Sequence, residues 1–140
     1  KKEAKNIEFQ LHQFISTLKF YSQENEQEYS ELNLNSFKHI NNYIETHIYD
    51  KFSLNELSKI ANINKFGFAK KFKASTGMSP INYILMKKVF SSKKLINPDT
   101  ELTKIAYQYN FTDLAHFSKT FKRFVGISPK NYQVNIIQKS

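Results

Sequence analysis

A chain of 140 residues, 40% of them hydrophobic, has enough apolar material for the core of one domain or of two small ones. It contains no cysteine, which excludes disulfides, thiol catalysis and cysteine zinc sites together. No apolar run approaches the roughly 18 residues of a membrane span, and no signal-peptide pattern appears, so no membrane partner is expected. Three Gly and three Pro leave little punctuation and point to long helices. The first residue is Lys rather than Met, consistent with a piece of a longer protein.

The net charge of +9 is unevenly placed. Residues 1–35 hold four lysines against six glutamates, net −2, and residues 36–140 hold 17 basic against 6 acidic residues, net +11. A basic 105-residue part points to a polyanion, most often nucleic acid. The lysines are spread over several predicted helices rather than clustered on one, which disfavours an anionic membrane surface.

Residues 5–22 read as a helix whose Ile7, Leu11, Phe14, Leu18 and Tyr21 recur at alternating spacings of four and three. Ile15 widens that stripe. The seam fits a homodimerisation helix, the end of an upstream domain, or a helix packed on its own domain. Residues 23–35 are polar and acidic and read as a linker. A helix is expected from Ser36 to about Ile48, with Phe37, Ile40, Ile44 and Ile48 on one face. Ser53 to Glu56 forms a capping box opening a short helix to about Ile60. A turn over 61–64 precedes a helix from Lys65 to about Ser75, which Gly77 stops. Ser79-Pro80 starts a longer helix to about Ile96, with Ile81, Ile84, Leu85, Val89 and Leu95 as buried candidates. Thr100 to Gln108 reads as a short helix and Tyr109 to Thr112 as a turn. The stretch Asp113 to Val125 carries Phe117, Phe121 and Phe124 on one face and basic residues elsewhere. Gly126 ends it and Ser128-Pro129 starts the last helix.

The chain contains one unit twice. With a shift of 48, Leu54, Leu57, Ser58, Asn62 and Ile63 meet Leu102, Ile105, Ala106, Asn110 and Phe111. One residue is then inserted, and with a shift of 49 Phe68, Phe72, Lys73 and Gly77 meet Phe117, Phe121, Lys122 and Gly126. Ser79-Pro80 and Asn82-Tyr83 meet Ser128-Pro129 and Asn131-Tyr132. Each unit has the shape of a helix-turn-helix. Ser58 and Ala106 are small enough for a close helix crossing, and Asn62 and Asn110 tolerate a left-handed turn.

On these residues the chain resembles the AraC/XylS family of bacterial transcription regulators over about Ser36 to Tyr132. Ile105-Ala106, Phe111, Asp113, Phe117-Ser118, Phe121-Lys122, Gly126, Ser128-Pro129 and Tyr132 fit the family signature in order and spacing. Asn110 stands where the family usually has Gly. Lys88 and Gln133 stand where it usually has Arg, which puts two Arg anchors in doubt. The resemblance implies an all-α fold: an N-terminal helix, then two helix-turn-helix subdomains (about 53–76 and 100–125) joined by a linker helix at about 80–96. Residues 1–35 are then the tail of a sensor or dimerisation domain, and 36–140 the DNA-binding domain. It also implies a cytoplasmic, nucleoid-associated regulator, an activator by family habit, that contacts RNA polymerase.

Carried over by position, the base-contact candidates are Phe66, Gly67, Ala69 and Lys70 on the first recognition helix. On the second they are Leu114, Ala115, His116 and Lys119. Ser53, Lys73, Lys122 and Arg123 are the phosphate candidates. This groove-facing set is poor in Arg and amides, and apolar groups read thymine methyls rather than guanine edges. An A·T-rich duplex is therefore expected, with a large phosphate contribution and a steep fall in binding with salt.

His12, His39, His47 and His116 are scattered, and no metal-ligand, phosphate-loop or nucleophile motif is present. No catalytic residue, metal or cofactor is therefore expected, and a methyl-accepting repair activity is excluded within this chain for want of Cys. Two other readings remain open: a helix-turn-helix module used for protein–protein contact or dimerisation, and the DNA-binding part of a larger DNA-processing enzyme.

Overall fold

The computed structural model describes residues 8–15 and 31–139, with side chains as far as 136. Among the described residues all regular structure is helical. Residues 8–15 form α1, followed by α2 (Leu34–Thr46), α3 (Leu54–Ala61), α4 (Lys65–Thr76), α5 (Pro80–Lys93), α6 (Leu102–Gln108), α7 (Leu114–Val125) and α8 (Pro129–Lys139). The chain divides into two compact units. Unit 1 comprises the chain up to Tyr43 with Phe52–Tyr83, and unit 2 comprises Ile44–Lys51 with the chain from Ile84 onward.

The sequence repeat is also a repeat of hydrogen bonds. Asn62 and Asn110 take φ of 56° and 60°. Ile63 N donates to Ser58 O (3.1 Å), and Phe111 N to Ala106 O (2.9 Å), closing each turn over the small residue at the helix crossing. Ser58 and Ala106 are both buried. Asn64 Oδ1 accepts from Gly67 N (2.8 Å) at the start of α4, and Asp113 Oδ1 from His116 N (2.7 Å) at the start of α7. Gly77 N donates to Lys73 O (2.7 Å) and Gly126 N to Lys122 O (2.8 Å), both glycines at positive φ. The Ser79 and Ser128 hydroxyls then cap the next helices, accepting from Asn82 N (3.2 Å) and Asn131 N (3.1 Å). Local chemistry thus fixes where six helices begin or end in the two copies.

The cores repeat as well. In unit 1, Phe68 and Phe72 lie 5.7 Å apart between ring centroids, and Tyr83 sits 5.2 Å from Phe72. In unit 2, Phe117 and Phe121 are 5.7 Å apart, and Tyr132 is 5.7 Å from Phe121. The first turn of α5 therefore closes unit 1 as the first turn of α8 closes unit 2. Offset and edge-on ring pairs of this kind add to the area they bury. Ile40 and Leu57 complete the first core; Val89, Ile96, Ile105, Tyr109 and Phe111 complete the second.

Several expectations need correction. The helix expected at Ser36–Ile48 runs from Leu34 to Thr46, because Asn33 Oδ1 accepts from Ser36 N (2.8 Å) and sets the start. The capping box is half realised: Ser53 Oγ accepts from Glu56 N (3.1 Å), but the Glu56 carboxylate accepts from the Tyr43 hydroxyl. The linker helix stops at Lys93 rather than Ile96, in a turn where Leu95 N donates to Ser92 O (3.0 Å). Fourteen residues give it a length of about 21 Å. Ile81 and Leu95, expected to be buried, are exposed at 47% and 38%, while Tyr83, Met86 and Ile96 fill the core. Asp113 is the cap of α7 and not its first residue. The short helix expected from Thr100 begins at Leu102.

Candidate nucleic-acid interface

The second helix of each pair turns two aromatic rings inward and a basic stripe outward. On α4, Phe68 and Phe72 are fully buried, whereas Phe66, Lys70 and Lys73 are exposed. The exposed three stand at i, i+4 and i+7, one continuous face. On α7, Phe117 and Phe121 are fully buried, and Ala115, Lys119 and Lys122 occupy the matching exposed stripe. Neither helix carries an acidic residue. The single acid next to them, Asp113, is engaged as the cap.

Each candidate has a defined setting. Phe66 is 77% exposed, the most exposed of the large hydrophobic side chains among the described residues. Gly67 is half-buried, and a Cβ there would meet Asn64 Oδ1 at 3.2 Å and Ile63 Cγ2 at 3.3 Å. Its smallness thus serves the cap. Ala69 is half-buried. Leu114, at 37%, Ala115, His116 and Lys119 are exposed along the start of α7. The His116 ring packs edge-on to Phe111 at 5.2 Å, which restricts how far it swings. Among the phosphate candidates, Ser53, Lys73, Lys122 and Arg123 are all exposed. The Arg123 guanidinium stacks 4.6 Å from the centroid of the Phe124 ring, which holds it near the end of α7. The stripe of α1 is described in part: Leu11 is half-buried, Phe14 is 49% exposed and Ile15 is buried, while Ile7, Leu18 and Tyr21 lie outside the described residues. No group of three metal-ligating side chains occurs among the described residues.

The two positions that stand where Arg was expected prove to be internal anchors, which sequence reasoning left in doubt. Lys88 is buried, and its ammonium donates to Ile48 O (2.7 Å), Asp50 O (2.7 Å) and Tyr109 O (2.8 Å). It ties the 48–50 segment to the turn that launches α7. Burial pushes its pKa down to about 8, opposed by the Asp50 carboxylate. Asn110 Nδ2 donates to Tyr49 O (2.6 Å), and the Tyr109 hydroxyl meets Ser91 Oγ at 2.8 Å. Burial raises the Tyr109 pKa to about 12, against the Ser91 hydrogen bond. Gln133, also buried, donates from Nε2 to Asn97 O and Thr100 O, both at 2.8 Å, and pins α8 to the loop before α6. These residues hold the frame around α7. The one signal for them in the sequence is a polar residue in an otherwise apolar stretch.

A family model described as a helix-turn-helix domain matches residues 57–135. A probable transcriptional regulator, LumQ of Photobacterium leiognathi, is 37% identical over 95 residues, covering 67% of this chain and 38% of that protein. The chain thus spans well under half the length of that relative. The C-terminal domain of the two-component response regulator yesN from Fusobacterium nucleatum superposes with a TM-score of 0.63 at 30% identity, covering 71% of this chain and 98% of that one. The DNA-binding domain of AdpA, solved in complex with a target DNA, shares the fold at a TM-score of 0.65 and 20% identity, covering 71% of this chain and 91% of that one. With two helix-turn-helix copies, their caps and the model match over residues 57–135, the chain belongs to the AraC-type helix-turn-helix family.

Proposed function

We propose that this chain is the DNA-binding part of a transcription regulator, an activator working with RNA polymerase, in which α4 and α7 enter successive major-groove segments of one duplex. The observation that carries this reading is the pair of exposed stripes, Phe66–Lys70–Lys73 and Ala115–Lys119–Lys122, on two helices built by the same caps. Within this reading residues 36–140 are the DNA-binding domain and 1–35 the tail of a sensor or dimerisation domain, pairing through 5–22. The protein acts at the nucleoid. Lysines at the far ends of the stripes, Lys73 and Lys122, with Arg123 and the N-terminus of α3 at Ser53, meet phosphates. The start of each recognition helix meets bases.

Phe66, Ala69, Leu114 and Ala115 offer apolar surface where a guanine reader would offer Arg. The chain holds one Arg against 20 Lys, so the preferred duplex is rich in A·T. Affinity comes largely from phosphate neutralisation and falls steeply with salt. Titration of a duplex with the full chain at several salt concentrations tests this. An affinity indifferent to salt, or absent at low salt, contradicts DNA binding and leaves the protein-contact module as the reading.

A further inference from the structure

Phe66 is an anomaly on the surface of unit 1. An aromatic ring this exposed costs solubility and lies outside the core behind it, where Phe68 and Phe72 are already fully buried. It stands in the first turn of α4, next to Lys65, and shares its stripe with Lys70 and Lys73. That basic setting suits a polyanion better than an apolar protein partner. Beside it, Gly67 has no side chain, and the cap atom Asn64 Oδ1 with the neighbouring Ile63 Cγ2 leaves little room for one. Phe66 is thus the large apolar side chain of that first turn, with no side chain at the next position. In the second copy the matching residue is Ala115, and Gly67 is matched by His116.

We propose that Phe66 makes the first recognition helix a reader of the pyrimidine C5-methyl group, so that the base it faces is recognised by a methyl and not by base-edge hydrogen bonds. The proposal rests on the major-groove reading above and adds the chemical feature that is read. A phenyl ring has no donor or acceptor for the N7, O6, N6 or O4 edges, and the thymine methyl is the apolar feature the major groove presents. The consequence is specific. Removing the methyl while keeping the hydrogen-bond pattern, thymine to deoxyuridine, weakens binding. Cytosine carrying a 5-methyl group is accepted where plain cytosine is refused.

The test uses the full chain. A duplex is enriched from random DNA, each thymine is replaced in turn by deoxyuridine, and affinities are measured for the wild type and for Phe66→Ala. Because Phe66 is exposed, that variant keeps its fold, and a thermal melt verifies this. The wild type should lose about fourfold in affinity at one or two positions of a single major-groove segment, the worth of one buried methyl. Phe66→Ala should bind more weakly and show no such positions in that segment. Placing 5-methylcytosine, paired with guanine, at the sensitive position should bind the wild type more tightly than cytosine does. A flat deoxyuridine scan on an enriched duplex overturns this proposal alone, as does a Phe66→Ala variant that keeps the full methyl sensitivity. Failure to enrich any duplex overturns the DNA-binding reading and this proposal together.

Discussion

Asn62 and Asn110 hold the left-handed turns at φ of 56° and 60°, a conformation that costs most L-residues about 1–2 kcal/mol. Asn110 offsets that cost by donating to Tyr49 O (2.6 Å). Asn110→Gly relieves the backbone and loses the bond, so its stability in urea should stay within about 0.5 kcal/mol of the wild type. Asn110→Ala loses both advantages and should be less stable by about 1–2 kcal/mol. A stable Ala variant contradicts the assignment of strain to this turn. Lys88 makes a prediction of a different kind. Its pKa is about 8 when folded against 10.5 for a freely solvated lysine, so between these limits the unfolded chain keeps a proton that the folded chain has released. Its contribution to stability therefore rises as pH rises through that window. Lys88→Arg keeps the donors and stays charged, so the wild type should show a stability–pH slope steeper by up to about 1.4 kcal/mol per pH unit between pH 8 and 10.5. Parallel curves for the two proteins contradict a buried, titrating Lys88.

At the scale of elements, what was legible in the sequence is what local chemistry decides. Gly77 and Gly126 end helices, Ser53, Ser79 and Ser128 start them, and the Phe pairs 68/72 and 117/121 mark the inner faces. The linker helix was read less well. Its apolar residues surround the axis instead of lining one side, so Ile81 looked as buried as Val89, and Leu95 falls in the turn beyond its end at Lys93. Lys88 and Gln133 were illegible for another reason: their partners are carbonyls 21 to 40 residues away, which no local pattern encodes. In the proposed reading, the exposed stripes of α4 and α7 divide the work of binding along each helix. Lys73→Ala and Lys122→Ala should weaken binding alike on every sequence and flatten the salt dependence by about 0.9 each in log–log slope. Lys119→Ala, nearer the start of α7, should relax sequence preference at a cost of about 1–3 kcal/mol if it reaches a base edge. Equal effects of Lys119→Ala and Lys122→Ala on preference and on slope contradict that division.

For the whole molecule, the duplication is the organising fact. Two helix-turn-helix units repeat the caps of their second helices, the left-handed asparagines and the ring pairs, while Ser53 caps α3 and no side chain caps the start of α6, and their outward faces differ: Phe66 and Gly67 in one, Ala115 and His116 in the other. Similar frames with different faces favour one chain reading two unlike segments. The uneven charge, net +11 over residues 36–140 against −2 before them, puts the attraction for DNA in the same part of the chain as both units. Enrichment of bound duplexes from random DNA by the full chain tests this most directly. The expected product is an asymmetric, A·T-rich site with two preferred segments centred about 10 base pairs apart. A single short preferred segment, G·C-rich segments, or no enrichment at all would contradict it.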